Sequence, residues 1–206
     1  MFEKNAVILF QGDSITDVGR SREDDKKLGK GYPSIVKKQI DDMCPELGIR
    51  VVNRGISGNR AIDLVSRWQE DCIDLNPDYV SILIGVNDTW RRYDRNDPTS
   101  DSDYKERYRF IIEETLKKTQ AKILLMNPFL LEVSQKVTQM RDDLKGKQRA
   151  VKELADEYNL NFLDLDFAFK VASLFKNSTY FSQDGVHPTK NGHKLIAKLW
   201  LEAWDE

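Results

Sequence analysis

The sequence has little of several features that mark special classes of protein. Its 206 residues include only two cysteines, Cys44 and Cys72, which are too few for a disulfide framework. Both lie in apolar, helix-like segments and are expected to be buried free thiols. The formal net charge is only -2, so neither nucleic acid nor an anionic membrane is expected as the main partner. No apolar run approaches a membrane span and the amino end lacks a signal-peptide pattern, so a cytoplasmic protein is expected.

A chain of this length is expected to form a single domain over residues 1–206, because no linker-like stretch divides it. Each strand-like run is separated from the next by a segment too long for a hairpin, and each intervening segment contains apolar residues at helical spacing. This alternation predicts a parallel sheet covered by helices on both faces. The predicted strands are residues 6–11, 49–53, 79–84, 122–127 and 161–165; the helical stripes fall within residues 35–43, 64–72, 104–115, 151–158 and 195–203.

Two stretches without periodicity are expected to be loops that shape the mouth of a site, because each follows a strand end with candidate site residues. They are residues 19–31 and 91–103. Within the first, the charged run at residues 23–27 is expected to be a solvated surface.

The first predicted strand ends in Gly12-Asp13-Ser14. Gly12 allows the chain to turn where a Cβ would obstruct it, so Ser14 can emerge at the carboxyl edge of the sheet, where α/β proteins bind ligands. Such a triplet is also ordinary turn chemistry. Taken alone, it leaves both a nucleophile and a plain turn open.

Two further motifs follow predicted strand ends and could supply hydrogen-bond donors to an oxyanion. The segment at residues 53–59 contains Gly55 and Gly58, and its backbone N–H groups could point at an oxyanion without steric cover, although the segment could equally be a strand-to-helix turn. The segment at residues 84–88 includes Asn87, whose side-chain amide could donate into the same space or only cap the next helix.

Near the carboxyl end, the sequence Asp184-Gly185-Val186-His187 supplies what a serine nucleophile needs. A serine hydroxyl is nearly inert without a base to take its proton. Asp184 can fold back to accept the Nδ1 proton of His187 and leave Nε2 facing Ser14. The alternative is a capping aspartate beside a surface histidine. His193, the only other histidine, is expected to be a surface or packing residue.

In order and spacing, these four blocks resemble the SGNH or GDSL hydrolases across nearly the whole chain. The resemblance implies a flavodoxin-like, three-layer α/β/α sandwich with a five-stranded parallel sheet. It also implies Ser14 as nucleophile, His187 as base and Asp184 as its orienting acid. The implied oxyanion hole comprises the backbone N–H groups of Ser14 and Gly58 and the side chain of Asn87. No cofactor or metal is implied. Ile15 stands where the family motif has leucine, which affects no catalytic group.

Residues 45–59 and 84–94 look most similar to the bacterial intracellular acetylxylan esterases. That branch removes acetyl groups from xylo-oligosaccharides and forms homo-oligomers, so an esterase acting on a small-molecule or oligosaccharide ester is expected, with a homo-oligomer as an open expectation. Trp90 and Tyr93 could form a sugar-stacking wall, or Trp90 could only pack the floor of the site.

Three other functions stay open on the sequence. Members of the same family act on lysophospholipids or acyl thioesters. A metal-dependent phosphoesterase would gather Asp13, Asp88, Asp184 and His187 around a metal ion. A non-catalytic protein would only hold an acylated sugar, although the presence of every part of a working site argues against it.

Overall fold

The computed structural model of the protein describes residues 2–204. Its centre is a five-stranded sheet in which all strands are parallel and the order is β2-β1-β3-β4-β5. Each strand lies within two residues of its predicted bounds, and the predicted parallel sheet is confirmed. The strands are β1 (Val7–Gly12), β2 (Arg50–Asn53), β3 (Tyr79–Leu83), β4 (Lys122–Met126) and β5 (Asn161–Leu163).

Helices connect the strands and cover both faces of the sheet. Short 3-10 turns occur at Pro45–Leu47 and Ile73–Leu75. Within residues 2–204, no helix is long and apolar enough to cross a membrane. The helices are α1 (Ser14–Asp17), α2 (Tyr32–Met43), α3 (Ala61–Asp71), α4 (Val86–Asp94), α5 (Asp101–Lys118), α6 (Gln135–Glu157), α7 (Leu165–Ser173), α8 (Ser178–Phe181) and α9 (Lys190–Glu202).

Two hydrophobic cores lie on opposite faces of the sheet. The alternation of side chains along β1 sends Ile8 and Phe10 into one core and Leu9 into the other. The first core includes residues of α2, α7 and α9, and the second includes residues of α3 and α5, while α6 contributes to both. The three-layer α/β/α sandwich is therefore confirmed.

The prediction of a loop over residues 91–103 is wrong at both ends. Helix α4 continues to Asp94, where Arg92 Nε donates to Asp143 Oδ1 of α6 at 2.7 Å and the Tyr93 hydroxyl donates to the Gln139 carbonyl at 2.9 Å. Helix α5 begins at Asp101, capped by Ser100 Oγ, which accepts from Asp103 N at 3.0 Å. The irregular connection is therefore only a few residues long. The other predicted loop, residues 19–31, contains no helix or strand.

Two predictions about individual side chains need correction, and the two alternatives left open for a third are decided. Cys72 is buried, but Cys44 is only half-buried, because it lies at the end of α2 beside the surface turn at Pro45–Leu47. In the charged run at residues 23–27, Asp25 is not simply solvated, since the Arg54 guanidinium donates to its carboxylate. His193 is a packing residue and not a surface one, with a relative exposure of 4%.

His193 stabilises the start of α2 from the facing helix α9. Its Nδ1 lies 3.2 Å from Tyr32 N, so the neutral ring accepts a hydrogen bond from a helix N-terminal N–H group that has no intrahelical partner. Burial lowers the pKa of His193 to about 4. A protonated ring would lose its acceptor and carry a charge into the core.

We expect the stabilising effect of His193 to be pH-dependent. The pKa of His193 in the unfolded chain is about 6.5, so its contribution to the free energy of unfolding should be complete above that pH and lost as the pH falls towards 4. His193→Asn keeps an acceptor near the Nδ1 position and removes the titration. Urea unfolding of both proteins at several pH values should show the wild type gaining stability relative to the variant as the pH rises. A difference independent of pH would contradict this account.

Candidate active site

The candidate site lies at the carboxyl edge of three neighbouring strands. Because β1 pairs in parallel with both β2 and β3, the segments that follow these strands meet at one edge of the sheet. The backbone makes this contact directly, since Ile56 N donates to the Gly12 carbonyl at 3.0 Å. The three predicted motifs at Ser14, Gly58 and Asn87 are thus brought to the same side of the molecule.

Close packing at the end of β1 explains why glycine precedes the Asp13-Ser14 pair. A Cβ on Gly12 would lie 2.5 Å from the Leu83 carbonyl oxygen and 2.3 Å from Thr16 Oγ1. Asp13 then caps α1, because its Oδ1 accepts from Ile15 N at 2.9 Å. Asp13 therefore stabilises the turn through local hydrogen bonding, and Ser14 becomes the first residue of a helix, where its N–H has no intrahelical acceptor.

A chain of hydrogen bonds joins Ser14 to the carboxyl-terminal motif, 173 residues away in sequence. Ser14 Oγ lies 3.1 Å from His187 Nε2, and His187 Nδ1 lies 2.7 Å from Asp184 Oδ2. The carboxylate therefore selects the tautomer with the proton on Nδ1, which leaves Nε2 free to accept the serine proton. This is the arrangement that the spacing of Asp184 and His187 predicts.

Asp184 begins the turn of residues 184–187 and caps it. Its Oδ1 accepts from the backbone N–H groups of Val186 at 2.9 Å and His187 at 2.8 Å. Burial raises the pKa of Asp184, but the hydrogen bonds from the His187 ring and from these two N–H groups outweigh burial and hold the pKa below its usual value. The carboxylate thus performs both roles considered from the sequence, since it caps the turn and orients the histidine.

Ser182 was not identified from the sequence. Its side chain is fully buried, and its hydroxyl lies 2.8 Å from the His187 carbonyl and 3.1 Å from Asp184 Oδ1. It therefore ties both ends of the Asp184–His187 turn together. Its position two residues before Asp184 is the only sequence signal that could have indicated it.

Three N–H donors near Ser14 have no acceptor within the described part of the chain: the backbone N–H groups of Ser14 and Gly58, and one of the two on Asn87 Nδ2. Gly58 is exposed and has a φ of 85°, a left-handed conformation that favours glycine. Asn87 is buried, and its other N–H donates to the Asn59 carbonyl at 3.0 Å, which fixes the amide beside the Gly58 loop. These are the donors expected from the sequence, and their role as an oxyanion hole stays a prediction.

The loop at residues 53–59, which contains Gly55 and Gly58, is held by a second set of residues that the sequence did not indicate. Asp17 Oδ2 accepts from both the N–H and the hydroxyl of Ser57, each at 2.9 Å, and from Arg22 at 2.7 Å. Arg20 and Arg22 also donate to the Gly55 carbonyl, at 2.7 and 2.8 Å. Burial raises the pKa of Asp17, but the hydrogen bonds from Ser57 and the charge of Arg22 outweigh it, so the pKa lies below its usual value. A charged Asp17 thus anchors the loop.

Asp13 and Asp88 are buried carboxyl groups below the candidate site, and each accepts a hydrogen bond from the backbone. Burial raises the pKa of Asp13 to about 7 and that of Asp88 to about 6. Asp88 Oδ2 accepts from Ala61 N at 3.0 Å and so binds the first turn of α3. Among residues 2–204, no group of three or more His, Cys, Asp or Glu side chains could hold a metal ion. The metal site considered from the sequence is therefore not formed by Asp13, Asp88, Asp184 and His187.

Trp90 and a cavity of about 270 Å³ lie next to the Asp184–His187 pair. The centroid of the Trp90 ring is 6.0 Å from that of the His187 ring. The cavity lies between α4, the first turns of α6 and the Gln183–Val186 segment. Tyr93, in contrast, does not line it. The lining residues are Trp90, Val133, Ser134, Lys136, Val137, Met140, Gln183, Asp184 and Val186.

The sequence profile of the GDSL-like Lipase/Acylhydrolase family matches residues 10–195, which contain all four motifs. The chain belongs to this family. The resemblance identified from the motifs is thus confirmed, and the fold agrees with it. Membership also confirms the prediction of an enzyme that hydrolyses carboxylic ester bonds.

The chain of this GDSL family member is similar to acetylxylan esterase from Geobacillus stearothermophilus, with 39% identity over 201 residues, 94% of this chain and 91% of the relative. The crystal structure of Axe2, an acetylxylan esterase from that organism, aligns with a TM-score of 0.88 and 38% identity, covering 99% of this chain and 96% of Axe2. Solved catalytic mutants of Axe2 replace a serine, a histidine or an aspartate by alanine.

We expect Ser14→Ala to abolish both hydrolysis of an activated acetate ester and labelling by a fluorophosphonate, because Ser14 Oγ is the hydroxyl paired with His187 Nε2. Ser182→Ala should still be labelled, since Ser182 is buried and only supports the turn. Labelling of the two variants and the wild type, followed by mass spectrometry, separates the two serines. Activity or labelling that survives in Ser14→Ala would exclude Ser14 as the nucleophile.

Proposed function

We propose that the protein is a serine esterase that removes acetyl groups from acetylated xylo-oligosaccharides through an acyl-enzyme on Ser14. The observation that carries the proposal is the continuous arrangement of Ser14, His187 and Asp184, with distances of 3.1 and 2.7 Å between successive side chains. The names of the similar acetylxylan esterases support the substrate class, and the residue types replaced in the Axe2 mutants are the same three.

The reaction begins when His187 Nε2 takes the proton of Ser14 as Oγ attacks the ester carbonyl carbon. Asp184 stays ionised and stabilises the imidazolium that forms, since its carboxylate faces Nδ1. The imidazolium then returns the proton to the leaving alcohol as the ester bond breaks. Water, activated by the same histidine, releases acetate from Ser14.

The negative charge that develops on the carbonyl oxygen is stabilised by the N–H groups of Ser14 and Gly58 and by the amide of Asn87. These donors are fixed before the substrate arrives, because the loop at Gly55–Ser57 is anchored by Asp17 and the Asn87 amide by Asn59. A preorganised set of donors costs no reorganisation as the charge forms.

The sugar is placed on the side of His187. The leaving-group oxygen must approach the imidazolium that protonates it, whereas the carbonyl oxygen points towards the oxyanion donors. Trp90 lies beside His187, and beyond it is the 270 Å³ cavity with its apolar wall and the polar residues Lys136 and Gln183. An indole ring next to polar groups is a suitable surface for a carbohydrate. The Tyr93 hydroxyl donates a hydrogen bond to the Gln139 carbonyl of α6, and Tyr93 does not line the cavity. Its contact with substrate therefore stays a prediction.

The alternative functions concern the same site. A lysophospholipase or thioesterase would use the same nucleophile with a longer acyl chain or a thiol leaving group, and a non-catalytic protein would bind the ester without turnover. A cytoplasmic location and a homo-oligomeric state also stay predictions.

We expect initial rates to fall from acetyl to butyryl to octanoyl esters of one chromogenic alcohol, because the proposed substrate carries only an acetyl group. The rates should be unchanged by a chelator, since the proposed steps use side chains alone. Ser14→Ala measured in parallel gives the background rate. A preference for octanoyl would favour the lysophospholipase or thioesterase function, and inactivation by the chelator would favour a metal-dependent enzyme.

Trp90→Ala should raise KM for acetylated xylo-oligosaccharides by roughly 5- to 30-fold, consistent with about 1–2 kcal/mol for losing an aromatic contact. It should leave KM for a small acetate ester nearly unchanged, because that ester has no sugar to place on the ring. Tyr93→Ala, measured with the same two substrates, tests the second residue predicted to contact the sugar, which lies on the same helix outside the cavity lining. Equal losses on both substrates would contradict a sugar-binding role for Trp90.

A further inference from the structure

The orientation of the Asn87 amide decides whether this side chain can serve the site. Its nitrogen end carries two donors, whereas its oxygen end only accepts. A rotation by half a turn would point the oxygen at the developing oxyanion and replace attraction by repulsion. Because Asn87 is buried, with a relative exposure of 4%, little water reaches its amide to compensate for the wrong orientation.

Two neighbours with opposite chemistry select one orientation. The Asn59 carbonyl, which can only accept, lies 3.0 Å from Asn87 Nδ2. The Arg91 guanidinium, which can only donate, places Nη2 3.3 Å from Asn87 Oδ1. Both contacts require the nitrogen to face the Gly58 loop and the oxygen to face Arg91. The flipped amide would lose both hydrogen bonds. Its oxygen would then face the Asn59 carbonyl oxygen, and its N–H groups would face the Arg91 guanidinium.

Arg91 is well placed to hold this contact. It lies four residues after Asn87 on α4, so the two side chains share one face of the helix. Its side chain is only 16% exposed, and its Nη1 forms an ion pair with Asp94. The Asp94 pair occupies one side of the guanidinium and leaves Nη2 directed at the amide.

We propose that Arg91 is a positioning residue for the oxyanion hole: it fixes the Asn87 amide with its nitrogen towards the substrate and places a positive charge behind it. A cation on the amide oxygen polarises the amide and makes the N–H a stronger donor to the oxyanion. The effect therefore grows as negative charge develops and acts on the transition state more than on the bound ester. The inference rests on the proposed oxyanion role of Asn87.

The test is a double-mutant cycle on an activated acetate ester with the wild type, Arg91→Met, Asn87→Ala and the double variant. Asn87→Ala alone should lower kcat by roughly 100- to 1000-fold. Arg91→Met should lower kcat by roughly 10-fold with KM within about twofold of wild type, because only the orientation and polarisation of the amide are lost. In the Asn87→Ala background, Arg91→Met should cause no further loss, since its target is absent.

Two control variants separate positioning from folding. Arg92→Met removes the neighbouring arginine of α4, which pairs with Asp143 of α6 and not with Asn87, so its kcat should equal that of the wild type. Arg91→Lys keeps a positive donor and should recover part of the kcat lost in Arg91→Met.

An equal loss from Arg91→Met in both backgrounds, a loss confined to KM, or no loss at all would overturn the role of Arg91 while leaving that of Asn87 intact. Wild-type kcat in Asn87→Ala would overturn the oxyanion role of Asn87 and, with it, the inference for Arg91.

Discussion

The parallel pairing of β1 with β2 on one side and with β3 on the other is the constraint on which the site depends. It makes three strands end at one edge, so that segments far apart in sequence become neighbours. Gly12 allows this closeness, since a side chain there would collide with the end of β3. The fourth segment, with Asp184 and His187, is not attached to a strand of the sheet; its own turn holds it, together with the Leu131 N–H, which donates to the Gly185 carbonyl at 2.9 Å.

Carboxylate side chains stabilise most of the local structure around this edge of the sheet. Asp13 caps the helix that carries Ser14, Asp88 binds the first turn of α3, and Asp17 anchors the glycine loop. Each accepts backbone N–H groups that the fold leaves without partners. Only Asp184 faces the imidazole of His187, the group proposed to take part in proton transfer. The role of each acidic residue at this edge of the sheet therefore depends on which group donates a hydrogen bond to it, and not on its distance from Ser14.

The motifs predicted from the sequence share one property: the chemistry of each is carried by residues close together in the chain. The Asp184–His187 turn is local, and so is the cap that Asp13 makes on the helix of Ser14. Asp17, Ser182 and Arg91 were missed because their roles depend on partners that only folding supplies or on turn geometry that residue types do not reveal. The end of α4 was missed for a similar reason, since its contacts are with α6. Cys44 and Asp25 differ from expectation because neighbours in space set burial and pairing.

The sequence by itself indicated the alternation of strands with helical segments, the parallel sheet covered on both faces and the residues proposed for the site. It could do so because hydrophobic periodicity and short motifs encode local structure directly. The tertiary structure alone decided which donors meet at the sheet edge, how the Asn87 amide is oriented and where the cavity beside Trp90 opens. Those features depend on distances between side chains that lie on different elements or on successive helical turns. Such distances are set only when the two cores pack against the sheet.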